Sequence, residues 1–110
     1  MSFTSHIQLD TFVNLSTTQS KDCTMYIRIG HVEQNGVLHE FKALEVTLTY
    51  NTHYTVYKQI FKGHNMVDKA MKWAFMMSEG NFGSENKEEL VEHIERAVYF
   101  HRMKDKLQRD

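Results

Sequence analysis

The stretch Cys23–Leu48, CTMYIRIGHVEQNGVLHEFKALEVTL, decides how this chain folds, because an Asn35-Gly36 dipeptide divides it into two runs of alternating character. Asn-Gly is the favoured centre of a two-residue type I′ hairpin turn, since both positions need positive φ. With that dipeptide at the tip, Gln34 should face Val37. Counting back, Ile29 should face Lys42, Ile27 Leu44, Met25 Val46, and Cys23 Leu48. This face is nearly all apolar. The other face pairs Thr24 with Thr47, Tyr26 with Glu45, Arg28 with Ala43, Gly30 with Phe41 and Val32 with His39, mixing aromatic, basic and polar groups.

Working toward the N-terminus, His6–Leu15 reads as a half-buried strand, with Ile7, Leu9, Val13 and Leu15 on one parity and His6, Gln8, Asp10 and Asn14 on the other. The polar segment from Ser16 to Asp22 lacks periodicity and reads as a surface loop. Beyond the hairpin, a fourth strand is expected over Tyr54–Lys62. A connection through Asn51, Thr52 and His53 would set Tyr50 opposite Tyr54, Leu48 opposite Val56 and Leu44 opposite Ile60. That register places Lys58 opposite Val46, and a slip of one residue would turn Tyr57 and Phe61 inward instead.

After Gly63 the apolar period changes from two to about 3.6 residues. Asn65 is a candidate N-cap for a helix from Met66 to about Glu79, with Gly80 placed to terminate it. Val67, Ala70, Met71, Ala74, Phe75 and Ser78 form its stripe. Met66, Trp73 and Met77 widen that stripe, leaving Asp68, Lys69, Lys72, Met76 and Glu79 for water. Methionine and tryptophan also suit adaptable interfaces, but at helical spacing they read first as core. A second helix should run from about Glu85 to Leu107 with Leu90, Val91, Ile94, Ala97, Val98 and His101 inward. Ser84, or Asn86 with Glu89 three residues on, can cap it. Its acidic start and basic end both match the helix macrodipole. The basic run from His101 to Arg109 therefore reads as a solvated end before it reads as a contact for an acidic partner or RNA.

Four strands followed by two helices give an α+β fold, an antiparallel meander carrying both helices on one face. At 110 residues the whole chain, 1–110, is expected to form one domain. Apolar content of 41% and charged content of 25% are those of a globular protein, which argues against disorder and fibrous classes. Thirteen basic and 14 acidic residues give a formal charge of −1, so any nucleic-acid or lipid contact would need a local patch. The single cysteine, Cys23, precludes an internal disulfide and suggests a reducing, cytoplasmic setting. On the hairpin register it reads as a buried structural thiol. The alternating N-terminal residues do not resemble a signal peptide.

No motif in the chain names a reaction. There is no HExxH, CxxC, G-x-S-x-G or P-loop pattern. Glu89 and His93 share a helical face and His31 is expected opposite Glu40, but each pair offers two ligands where zinc takes three or four, so no metal and no cofactor are expected. Glu45 beside Tyr26 and Arg28 could serve acid–base chemistry in a deep pocket. Such cross-strand groups serve sheet stability more often, and no enzyme is expected.

The outer sheet face attracts the functional reading. On the expected registers it carries Tyr26, Arg28, His39, Phe41, Glu45, Tyr57 and Phe61, with Phe12 added if the first strand lies alongside. Monomers seldom leave such a patch in water. A protein partner or a second copy of the chain is the preferred cover, with internal burial under the C-terminal helix close behind. A nucleotide or single-stranded nucleic acid stacking on Tyr26, Phe41 and Tyr57 beside Arg28 is the alternative, disfavoured by the low basic content. The expectation is a small cytoplasmic binding protein with no membrane contact. In size and style it is analogous to phage and bacterial accessory or inhibitor factors.

Overall fold

The computed structural model describes residues 7–8, 12–34, 37–52, 54–82 and 87–109, with the side chains of residues 12–31, 42–52, 54–82 and 87–104. Its elements are β1 (Ile7–Gln8), β2 (Val13–Gln19), β3 (Cys23–Gln34), β4 (Val37–Tyr50), β5 (Val56–Lys62), α1 (Met66–Met77) and α2 (Lys87–Arg109). Every strand pairing is antiparallel, and β1 and β2 lie end to end against β3. Five strand segments thus fill four positions of one sheet, with two helices following: the expected α+β arrangement.

The hairpin obeys its turn only near the tip. Gln34 faces Val37 and Glu33 faces Leu38, but beyond an irregularity at His31/Glu33 the pairing is offset by two residues. Ile29 then faces Leu44, Ile27 faces Val46, Met25 faces Leu48 and Cys23 faces Tyr50. The expected partners were each wrong by two, yet the faces were right, because side chains alternate with period two and an even offset preserves parity. All eight of these residues are buried.

The β4–β5 register departs by one residue, and here parity does flip. Leu48 faces Tyr57, Leu44 faces Phe61, and Ile60 lies opposite Glu45 on the outer face. The turn is one residue longer than expected: Tyr50 N–H donates to Thr55 O at 2.9 Å, and Tyr54 absorbs the reversal at φ 53°. Lys58, awkward opposite Val46, instead faces Thr47 and is exposed.

The N-terminal strand also differs from its expectation. Ser16–Gln19, read as loop, continues β2 to a short turn in which Ser20 N–H donates to Cys23 O at 2.8 Å. These residues are polar because they form a sheet edge, while their threonines still favour extended backbone. The register shifts between Asn14 and Ser16, which lets Leu15 reach the main core. Val13, expected inward, is 49% exposed.

Both helices cover the inner face. Met66, Val67, Ala70, Met71 and Ala74 of α1, with Ile94 and Val98 of α2, join the buried strand residues in one cluster. Trp73 and Met77 are partly buried against it, so the methionine–tryptophan margin is core. The five positions of α1 assigned to water are all exposed. Asn65 stands at the N-cap position at φ 60°, but its side chain makes no capping hydrogen bond, contrary to expectation. Gly80 takes φ 83° just beyond the helix end, which favours a residue without Cβ. The Tyr50 hydroxyl donates to Met77 O and ties that end to β4.

Candidate protein-binding face

The side of the sheet away from the helices is built by the residues that alternate with the core. In pairing order it presents Thr24 with Thr49, Tyr26 with Thr47, Arg28 with Glu45 and Gly30 with Ala43. The expected Tyr26–Glu45 pair is thus corrected by the two-residue offset. That offset brings the guanidinium and the carboxylate directly together. Arg28 Nη1 donates to Glu45 Oε1 at 3.1 Å, and Nη2 donates to the backbone oxygen of Phe12 at 3.1 Å.

Phe12 itself is a central part of the site. It is buried, and its ring lies on Gly30 so closely that a Cβ there would stand 2.5 Å from its Cδ1 and 2.8 Å from its Cα. The Arg28 guanidinium sits 5.8 Å from the centre of that ring, within cation–π range. Phe12, Ala43 and Ile60 form a second small cluster, and among the described residues no helical side chain belongs to it. The predicted internal burial of this face therefore occurs over part of it, through the N-terminal segment and not the C-terminal helix. Gly30, alone in a strand of bulky residues, was the sequence signal for a close approach.

Glu45 is 1% exposed, its Oε2 has no hydrogen-bond partner among the described residues, and Arg28 lies over it with its side chain 35% exposed. A buried carboxylate in this position depends on its cation to offset the loss of hydration. Alongside this closed half of the face lies an open half, where Tyr26 is 39% and Val56 55% exposed beside Thr17, Thr47 and Lys58.

Of the residues expected here, Tyr26, Arg28 and Glu45 do share the outer face. Tyr57 and Phe61 do not: Tyr57 meets Tyr50 edge-on at 6.0 Å and Phe61 meets Trp73 at 5.7 Å, both on the helix side. The side chains of His39 and Phe41 lie outside the described residues. Ile60, Val56 and Lys58 take the places on β5 that the expected register had given to Tyr57 and Phe61; the slip of one residue is the register observed. His31 faces Lys42 across the strands and not Glu40, whose side chain lies outside the described residues, and Glu89 and His93 are both exposed on α2.

Cys23 is fully buried on the inner face, and burial pushes its thiol pKa up, as expected for a structural thiol. A concavity of about 520 Å³ opens elsewhere, between the end of β2 and the start of α2, lined by residues that include Gln19, Phe75, Asn81 and Glu89. Tyr26, Arg28 and Glu45 take no part in it. No helix among the described residues is long and apolar enough to cross a membrane. No protein-family model, no curated protein and no solved structure matches the chain.

Proposed function

We propose that the protein works by binding another protein, in the cytoplasm and without chemistry of its own, through the open half of its outer sheet face. The observation that carries this reading is Tyr26, well exposed beside a guanidinium already fixed by Glu45 and the Phe12 carbonyl, on a face whose apolar cluster includes no helical residue. Tyrosine and arginine are the side chains that most often dominate protein interfaces, because each combines a large contact area with directional hydrogen bonding. Here the arginine loses little further freedom on binding, since the sheet already holds it. The threonines around Tyr26 offer short, stiff hydroxyl side chains that keep the surface flat and wettable. A nucleic-acid reading gains nothing from this arrangement: Tyr57 has turned inward and the charge of Arg28 is matched by Glu45.

The test is comparative capture from the native cytoplasm with wild type and a Tyr26→Glu/Thr47→Arg variant, both positions being solvent-accessible. A protein retained by wild type and lost by the variant, and then shown to bind purified wild type by calorimetry, supports the reading. Equal capture of every partner by both proteins overturns it.

A further inference from the structure

The second helix is apolar on two sides. At about 100° per residue, Ile94 and Val98 define the buried side of α2, and Tyr99, Met103 and Phe100 fall about 140°, 180° and 240° around from Ile94. These three are 60%, 40% and 66% exposed, and the Tyr99 and Phe100 rings touch edge to face at 6.1 Å. One helical turn or more earlier, the same side carries the charged residues Glu88, Glu92 and Arg96, as a solvated helix should. The apolar side opposite Ile94 thus begins abruptly at Tyr99. A helix with two apolar sides is one with two neighbours, and among the described residues the sheet and α1 supply only the first.

Charge says what the second neighbour is. From residue 87 to 95 the helix carries Glu88, Glu89, Glu92 and Glu95 against Lys87; from 96 to 104 it carries Arg96, Arg102 and Lys104 and no acid. That gradient suits the macrodipole, and it also makes the helix complementary to itself when reversed. We infer that α2 is the seam of a symmetric dimer, in which Tyr99, Phe100 and Met103 pack antiparallel against the same residues of a second copy. A crossing centred between Val98 and Tyr99 brings Glu95 level with the second copy's Arg102 on the same flank of the seam, both lying about 80° to 100° around from Ile94, and two-fold symmetry repeats the pair. A parallel arrangement would set acid against acid and base against base. The antiparallel seam therefore selects its own orientation by charge and draws its affinity from the buried rings and thioether.

This seam is distinct from the sheet face, and the two fail separately. Sedimentation equilibrium of the wild-type chain should give twice the 13.0 kDa chain mass. Phe100→Glu should give monomer with an unchanged far-UV spectrum, since that side chain is exposed. Glu95→Lys alone, and Arg102→Glu alone, should each weaken the dimer about tenfold through two symmetric repulsions, and the double exchange should restore it. Tyr26→Glu should leave the mass unchanged. Four results would each overturn the seam: a wild-type chain still monomeric at about 100 μM; a Phe100→Glu chain still dimeric; no rescue by the double exchange; or monomeric attachment of the stripe to anionic vesicles in place of self-association.

Discussion

Replacing Arg28 with methionine removes its hydrogen bonds to Glu45 Oε1 and to the Phe12 carbonyl, while keeping most of the aliphatic length. Glu45 is then left as a carboxylate only 1% exposed, with no described partner on Oε2. Breaking a fully buried pair costs about 3 to 5 kcal/mol, and the 35% exposure of Arg28 places this one near the lower end, at about 3 kcal/mol. With an unfolding entropy of about 2.1 cal/mol/K per residue over 110 residues, that is a fall in Tm of about 13 °C. The double variant Arg28→Met/Glu45→Leu should recover to within about 1 kcal/mol of wild type, because apolar replacements of a buried pair are often neutral. Its new side chains would extend the Phe12, Ala43 and Ile60 cluster. Urea unfolding, followed by far-UV dichroism and by Trp73 fluorescence, measures the wild type and both variants. If Arg28→Met costs less than about 0.5 kcal/mol, as an ordinary surface change would, the pair does not hold this face together. Equal instability of the single and double variants would also refute the reasoning, since no unpaired charge would then be responsible.

Gly30→Ala should lose about 2 to 3 kcal/mol in the same urea assay, because its Cβ meets the Phe12 backbone as well as the ring; wild-type stability would show that Phe12 does not lie there. Phe61→Ala should cost about 3 kcal/mol and shift Trp73 emission, whereas Val56→Ala, 55% exposed, should cost under about 0.5; the reverse order would restore the β5 register with Tyr50 opposite Tyr54. Burial raises the pKa of Cys23 and, chiefly, of Tyr50, where Cys23, Glu79 and Tyr57 add to the shift. Folding therefore favours the protonated forms: their stabilisation is complete below the unfolded value of 9.0 for the thiol and declines as pH rises through the folded values. Cys23→Ala should flatten part of that alkaline loss in Tm scans, and a native thiol that reacts with a disulfide reagent as fast as free cysteine would contradict its burial.

The core was legible because it depends on parity alone. Asn35-Gly36 located the hairpin, and even a two-residue irregularity near His31 left Ile27, Ile29, Leu44 and Val46 facing the helices. The β5 face was not legible, because one extra residue in a turn reverses it and nothing in Asn51–Thr55 fixes the loop length. Lys58 was the local clue, since a lysine opposite Val46 was the only strained element of the shorter turn. The polar run Ser16–Gln19 misled in the opposite sense: an edge strand satisfies polar side chains in water, so composition resembled a loop. At the outer face, periodicity found Tyr26, Arg28 and Glu45 but gave their pairing two residues out. It placed Phe12 there on the condition that the first strand lies alongside, as it does, but not the close approach of its ring, which depends on the absence of a side chain at Gly30.

The Arg28–Glu45 pair lies at the boundary between the two halves of the outer face, and this position would couple the fold to the proposed binding. On one side its Nη2 holds the chain at Phe12, whose ring closes the small cluster over Gly30. On the other, the partly exposed guanidinium stands beside Tyr26 on β3. A substitution that frees Arg28 therefore loosens the closed half and disorders the open half together. A lysine at 28 would keep the charge but could not span a carboxylate and a carbonyl with a planar fork, so charge alone does not reproduce the arrangement. With α2 pairing two copies, each dimer would carry two such prepared faces. A partner that is itself multivalent would then be held far more tightly than one face allows, provided its sites match the spacing set by the seam.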